Sequence, residues 1–186
     1  MNSPEQQQVG NQADEKPPKP TWKRRILREL PWLLAFAAVY FWISNGQAPG
    51  VSVGDIVAPV RAEVIGGGSL DSAQSGLPKV FVFWAPWCGV CGAEFPMIGD
   101  LQQDLEGKAD VIGVGLSGSK GEMDEFVAEH KPDFKNVYGD SDIAARFGVR
   151  AFPTIIIVDG GHTVKERFVG ITTPWRLRFA VNTLSD

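Results

Sequence analysis

The chain has 186 residues, is 44% hydrophobic, and carries a net charge of −4 with two cysteines. That length and apolar content suit one domain of ordinary size plus extensions, with no second domain required. Six cations against four acids leave residues 1–29 at +2 and the remainder at −6; an acidic body without a basic stripe excludes nucleic acid as the expected partner.

Residues 1–22 are polar, rich in Gln, Lys and Pro, and lack apolar periodicity. Such a stretch buries too little surface to offset the entropy of ordering, and a disordered tail is expected. Lys23, Arg24, Arg25 and Arg28 then lead into the apolar run that ends at Ile43. Ile26 to Ile43 spans roughly 27 Å as a helix, close to the ~30 Å hydrocarbon core of a bilayer. Trp22, Trp32, Tyr40 and Trp42 mark its two ends as an aromatic belt would, and no cation follows until Arg61. Residues 23–45 are therefore expected to be a single-pass anchor in the inner membrane, with the N-terminus cytoplasmic and the rest periplasmic. A cleaved signal peptide is the alternative, and it would export the domain too.

Residues 46–65 carry Gly, Ser and Ala between short β-like pieces at 51–60 and 62–65, expected as linker and opening hairpin before Gly66-Gly67-Gly68. The domain proper is expected over 66–186. Its pattern becomes clear at Lys79: strands over 80–84, 110–116, 154–158 and 164–169, and helices over 91–106, 122–130, 142–147 and from Pro174. Strands separated by helices, then one hairpin at Gly160-Gly161, predict an α/β domain with a central mixed sheet flanked by helices on both faces.

Both cysteines stand in Trp87-Cys88-Gly89-Val90-Cys91, between the first of these strands and the first helix. Two thiols three positions apart at such a junction read as a dithiol/disulfide couple. A helix N-terminus offers unpaired N–H groups and the positive end of the macrodipole, both of which favour a thiolate. Cys88 is the candidate nucleophile; Cys91, a turn further in, suits intramolecular resolution. Glu94 follows Cys91 at i,i+3 spacing on the same helix face, with an ordinary helix-dipole acid as the plainer reading. Pro96 falls inside the helix and should kink it. Trp84 is expected in the core and Trp87 at the surface.

Other signals are discounted. Gly113-x-Gly115-x-x-Gly118 spells a dinucleotide fingerprint, but here it is better read as a strand end and loop. His130 and His162 are expected as solvated surface residues. A closed metal site needs more ligands than one C-x-x-C supplies, so no metal site is expected, and no cofactor beyond the redox-active Cys88–Cys91 pair. Cu(I) capture by the reduced thiolates is the exception held open.

The segment 80–96, with its Phe81–Trp84 run, W-C-G-V-C and E-F-P, resembles the active-site segment of thioredoxin-fold proteins. The likeness is strongest to the membrane-anchored, exported TlpA, ResA and DsbE (CcmG) branch. Gly89-Val90 is also similar to the ScsD-type disulfide oxidoreductases associated with copper tolerance. The resemblance covers residues 66–183 and is most specific over 80–96 and 148–159. It implies a thioredoxin-like fold, attack by Cys88 on a partner disulfide, resolution by Cys91, and tuning of the reduction potential by Gly89 and Val90. It further implies that Glu94 tunes the acid/base behaviour of the site, since Val82 stands where ordinary thioredoxins keep a buried aspartate. Pro153 matches the cis-proline that faces the cysteines, and Phe152 before it is bulkier than usual; with Trp87, Gly89 and Val90 they are the expected substrate contacts.

The expected function is a thiol:disulfide oxidoreductase of the bacterial envelope that reduces exported cysteine-containing proteins, fed by a transmembrane dithiol donor. Cytochrome c maturation or a copper-stress thiol pathway is its expected setting. A disulfide-oxidising or Cu(I)-binding thioredoxin-like module is the alternative, because Gly-Val between the cysteines leaves direction open.

Overall fold

The computed structural model describes residues 31–40 and 50–183. Residues 31–40 are helical with exposed side chains and belong to a unit distinct from the one that holds 50–183. Among the described residues no helix is long and apolar enough to cross a membrane. The expected tail 1–22 and the flanks 23–30 and 41–45 of the expected anchor lie outside the described residues.

In chain order the larger unit contains β1 (Arg61–Glu63), β2 (Ser69–Asp71), β3 (Lys79–Trp84), α1 (Gly89–Asp104), β4 (Asp110–Gly115), α2 (Lys120–His130), β5 (Lys135–Tyr138), α3 (Ser141–Phe147), β6 (Thr154–Val158), β7 (Val164–Val169) and α4 (Pro174–Asn182). The main sheet has the order β5-β4-β3-β6-β7. β3, β4 and β5 run parallel, while β6 and β7 are antiparallel to their neighbours. This is the expected mixed sheet, and it is the thioredoxin-like arrangement.

Side chains of a strand alternate between faces, so β3 sends Val80, Val82 and Trp84 to one core and Phe81 and Phe83 to the other. The first core is closed by α1, α2 and α4 through Phe95, Ile98, Phe126, Leu177 and Val181. The second is closed by Ile143 and Phe147 of α3 and by Val57 and Val60 from the segment before β1. A strand buried on both faces needs the unbroken apolar run that made β3 legible.

Local chemistry sets the helix starts. Ser119 caps α2 in a capping box with Glu122, whose carboxylate accepts from the Ser119 N–H at 2.8 Å. That S-x-x-E signal places the start at Lys120, two residues before the expected one. Asp140 caps α3, and Gly148 ends it at φ 59°, where a side chain would also run into Gly50. Pro174 opens α4 at the first turn, where its missing N–H costs nothing.

Several expectations need correction. The hairpin is β1–β2 around Gly66-Gly67-Gly68, all at positive φ, so it crosses the expected boundary at 65/66; residues 51–60 contribute one isolated bridge, Ile56 to Thr163, in place of a strand. The compact unit therefore begins before residue 66, because burying Val57 and Val60 is worth about 1.5–3 kcal/mol each. β5 was not expected: only four residues long and opening on Lys135-Asn136, it lacks an apolar signature. His162 is buried, with Nε2 3.3 Å from Ser72 Oγ, and not a solvated surface residue. His130 is half-buried against Phe126, to whose carbonyl oxygen its Nδ1 lies at 2.9 Å.

Candidate active site

β3 ends at Trp84, and the chain turns through Ala85-Pro86-Trp87 into α1. The turn is closed by the Cys88 N–H donating to the Ala85 carbonyl at 3.0 Å. Cys88 is the N-cap of α1: its Sγ accepts from the Cys91 N–H at 3.3 Å, and its carbonyl accepts from the same N–H at 3.0 Å. The first cysteine thus takes the cap position usually held by an oxygen, where the unpaired donors of the helix stabilise negative charge. Cys88 and Cys91 form a disulfide, S–S 2.06 Å. Both are buried, Cys88 at 7% exposed and Cys91 at 1%, so Cys88 is the outer of the two.

The rim of the pair is apolar. Trp87 is 68% exposed and Val90 and Gly89 are also exposed. Trp87 donates from Nε1 to the Ser117 carbonyl and meets the Phe152 ring edge-on, centroids 5.4 Å apart. The Phe152–Pro153 peptide bond is cis. Phe152 packs against Trp87 beside the cysteines, while Pro153 is buried and has no N–H to donate.

Beneath the rim the groups are closed off from solvent. Trp84 is fully buried, as expected, stacked on Phe126 and donating to Asn136 Oδ1 at 2.9 Å. Val82 is an apolar core residue, so β3 supplies no acid at that position. Glu94 is 7% exposed; Oε1 accepts from the Thr172 N–H at 3.1 Å and Oε2 has no partner. It lies beyond the first turn of α1, which holds no acid, so the plain helix-dipole reading does not describe it. Burial raises the Glu94 carboxyl above its ordinary value, opposed in part by the Thr172 N–H.

Glycines explain the discounted fingerprint. A Cβ at Gly113 would fall 1.9 Å from Asn136 Oδ1, one at Gly115 2.9 Å from the Trp84 ring, and one at Gly118 2.4 Å from Pro86. All three make room for the floor and flank of the cysteine loop, and the spacing needs no dinucleotide.

Thr172, like Asn136 under Trp84, is a site residue that sequence reasoning missed. Thr172 lies 78 positions from Glu94 in the short connection between β7 and α4, and nothing local marks it.

A disulfide pair whose first cysteine caps the helix leaving the central strand, with a cis-proline at the head of the neighbouring antiparallel strand, defines a thioredoxin-fold disulfide protein. The Redoxin family profile matches residues 66–180. A thiol:disulfide interchange protein DsbE homolog of Paracoccus denitrificans is 33% identical over 147 residues, 78% of this chain and 74% of that one. Thioredoxin of Synechocystis is 32% identical over 94 residues, 50% of this chain and 68% of its own length. Among solved structures, a secreted Mycobacterium tuberculosis disulfide oxidoreductase homologous to E. coli DsbE superposes with TM-score 0.58 and 25% identity, over 67% of this chain and 96% of that one. The chain belongs to the Redoxin family, in its DsbE-type, thioredoxin-like branch. It is a thiol:disulfide oxidoreductase.

Proposed function

We propose that this oxidoreductase works outside the cytoplasm on a membrane tether, reducing disulfides in exported proteins. The observation that carries the reading is the asymmetry of the site. Cys88 stands at an apolar rim of Trp87, Val90 and Phe152, where a polypeptide can lie, and Cys91 is sealed below it with Glu94. In the reduced protein the Cys88 thiolate attacks a partner disulfide, forming a mixed disulfide and expelling one partner thiolate. Cys91 then gives its proton to the Glu94 carboxylate and attacks Cys88 Sγ, closing the Cys88–Cys91 bond and releasing the second partner thiolate. Two electrons pass to the partner, and the two cysteines are oxidised together. Gly89 and Val90 between the sulfurs tune the potential; about 30 mV corresponds to ~1.4 kcal/mol in this couple.

The tether reading rests on the cations before the apolar run that ends at Ile43 and on their absence until Arg61. Anchoring raises the effective concentration of a transmembrane dithiol donor without new contacts. Apocytochrome c or a copper-stress isomerase is the class of substrate that suits such a reductant. The Cys91→Ser variant should trap Cys88 in mixed disulfides with envelope proteins, identified by mass spectrometry. Trapping none would point to a Cu(I)-binding module, and a measured potential near −120 mV would reverse the direction of electron flow.

A further inference from the structure

Residues 170–173 connect β7 to α4 and are fastened to both sides of the site. The Gly170 N–H donates to the Pro153 carbonyl at 2.8 Å, and two residues on the Thr172 N–H donates to Glu94 Oε1 at 3.1 Å. Thr172 is itself buried, and its Oγ1 and Glu94 Oε2 are the two buried side-chain atoms without a hydrogen-bond partner among the described residues. Both belong to one bonded pair of residues. A buried polar atom left unpaired is costly, and in a native site it calls for an explanation such as a catalytic role.

A threonine hydroxyl is both donor and acceptor. Turned toward Glu94, it can donate to Oε2 when the carboxyl is charged and accept from it when the proton is on Oε2. An isosteric apolar side chain can do neither. We propose that Thr172 is a positioning residue that acts through Glu94: its N–H pins Oε1, which leaves Oε2 open to the Cys91 proton, and its hydroxyl serves Oε2 in both charge states. This rests on the reading that Glu94 takes that proton. In the step concerned, the S–H bond of Cys91 breaks, the proton moves to Oε2, and the Cys91 electron pair forms the bond to Cys88 Sγ.

Charged groups on the neighbouring elements have other partners. On α2, His130 is bonded to the Phe126 carbonyl and lies over Gly92. On α4, Arg178 pairs with Asp104 and Arg176 lies over the Phe168 ring. On β4, Asp110 pairs with Lys79. Burial and the Thr172 N–H are what act on the Glu94 proton.

The test mixes the full-length reduced protein with an aromatic disulfide in a stopped-flow experiment. Attack by Cys88 gives a bimolecular release of aromatic thiolate, and closure by Cys91 a unimolecular one. Thr172→Val should slow the second phase on the order of tenfold at pH 7 and move its midpoint to higher pH, with the first phase unchanged. Thr172→Ser, which keeps the hydroxyl, should stay within about twofold. Adding Thr172→Val to Glu94→Gln should slow closure no further, since one residue acts through the other. Equal behaviour of the valine and serine variants, or additive losses in the double variant, overturns the role of Thr172 while leaving Glu94 in place. A second phase that Glu94→Gln leaves unmoved overturns the reading beneath it as well.

Discussion

Lys79 at the start of β3 and Glu94 on the helix that follows its end are both more than nine-tenths buried, yet their surroundings are opposite. Three oxygens surround Lys79 Nζ: Ser75 Oγ at 2.7 Å, Asp110 Oδ2 at 3.3 Å, and the Leu77 carbonyl. Glu94 has one N–H for two carboxyl oxygens. A buried charge whose N–H donors all have oxygen partners acts as a clasp; here it ties the first residue of β3 to its register partner at the start of β4. A buried carboxyl with a free oxygen keeps an open position for a proton, at the cost of desolvation. One strand therefore has a structural end and a chemical end, told apart by how completely the buried ionisable group is satisfied.

The strongest way to break that comparison is at the clasp. Lys79→Ala removes the stem from the wall of a cleft of about 410 Å³ and leaves the Leu77 carbonyl, Ser75 and Asp110 without their cation. The expected loss is about 2–4 kcal/mol of unfolding free energy in urea, with the rates of disulfide exchange by the remaining folded protein unchanged. A loss under about 0.5 kcal/mol would mean that the clasp contributes nothing. Asp110→Asn is a gentler change, because the Asp110 side chain is 40% exposed and Lys79 keeps two oxygens. About 1 kcal/mol or less is expected, shrinking further in high salt.

The two sides of this comparison are not equally legible in the sequence. The i,i+3 step from Cys91 made Glu94 legible, because both ends of the relation lie on one helix. Lys79 read as the flank of a strand, since lysine is almost never fully buried; its partners Ser75 and Leu77 are neighbours whose orientation depends on how the chain enters the sheet. Thr172 and Asn136 reach the site across the fold, one under Glu94 and the other under Trp84, and no periodicity encodes such encounters. The burial of His162 is hidden for the same reason, since its partner Ser72 is 90 positions away. By contrast β6, β7 and the start of α4 fall at their expected bounds, where apolar runs are punctuated by Gly160-Gly161 and Pro174. Local chemistry was readable, and the polar contacts that finish the site were not.

The smallest expected effect is also the sharpest test of the chemical end. Burial holds the Glu94 carboxyl above its ordinary value, so the folded chain binds this proton more tightly than the unfolded one. Between the ordinary carboxyl range and the raised value the native state holds more protons, and stability must fall as pH rises through that window, then level off. The glutamine of Glu94→Gln does not titrate and keeps an oxygen for the Thr172 N–H. Urea unfolding of the oxidised protein, in which the thiols are silent, should therefore show Glu94→Gln gaining on the parent from pH 4 to pH 8, by less than the Lys79→Ala loss. A difference that is the same at both pH values would show that burial does not raise the Glu94 carboxyl above its ordinary value. The chemical end of β3 would then be as fully compensated as the structural one.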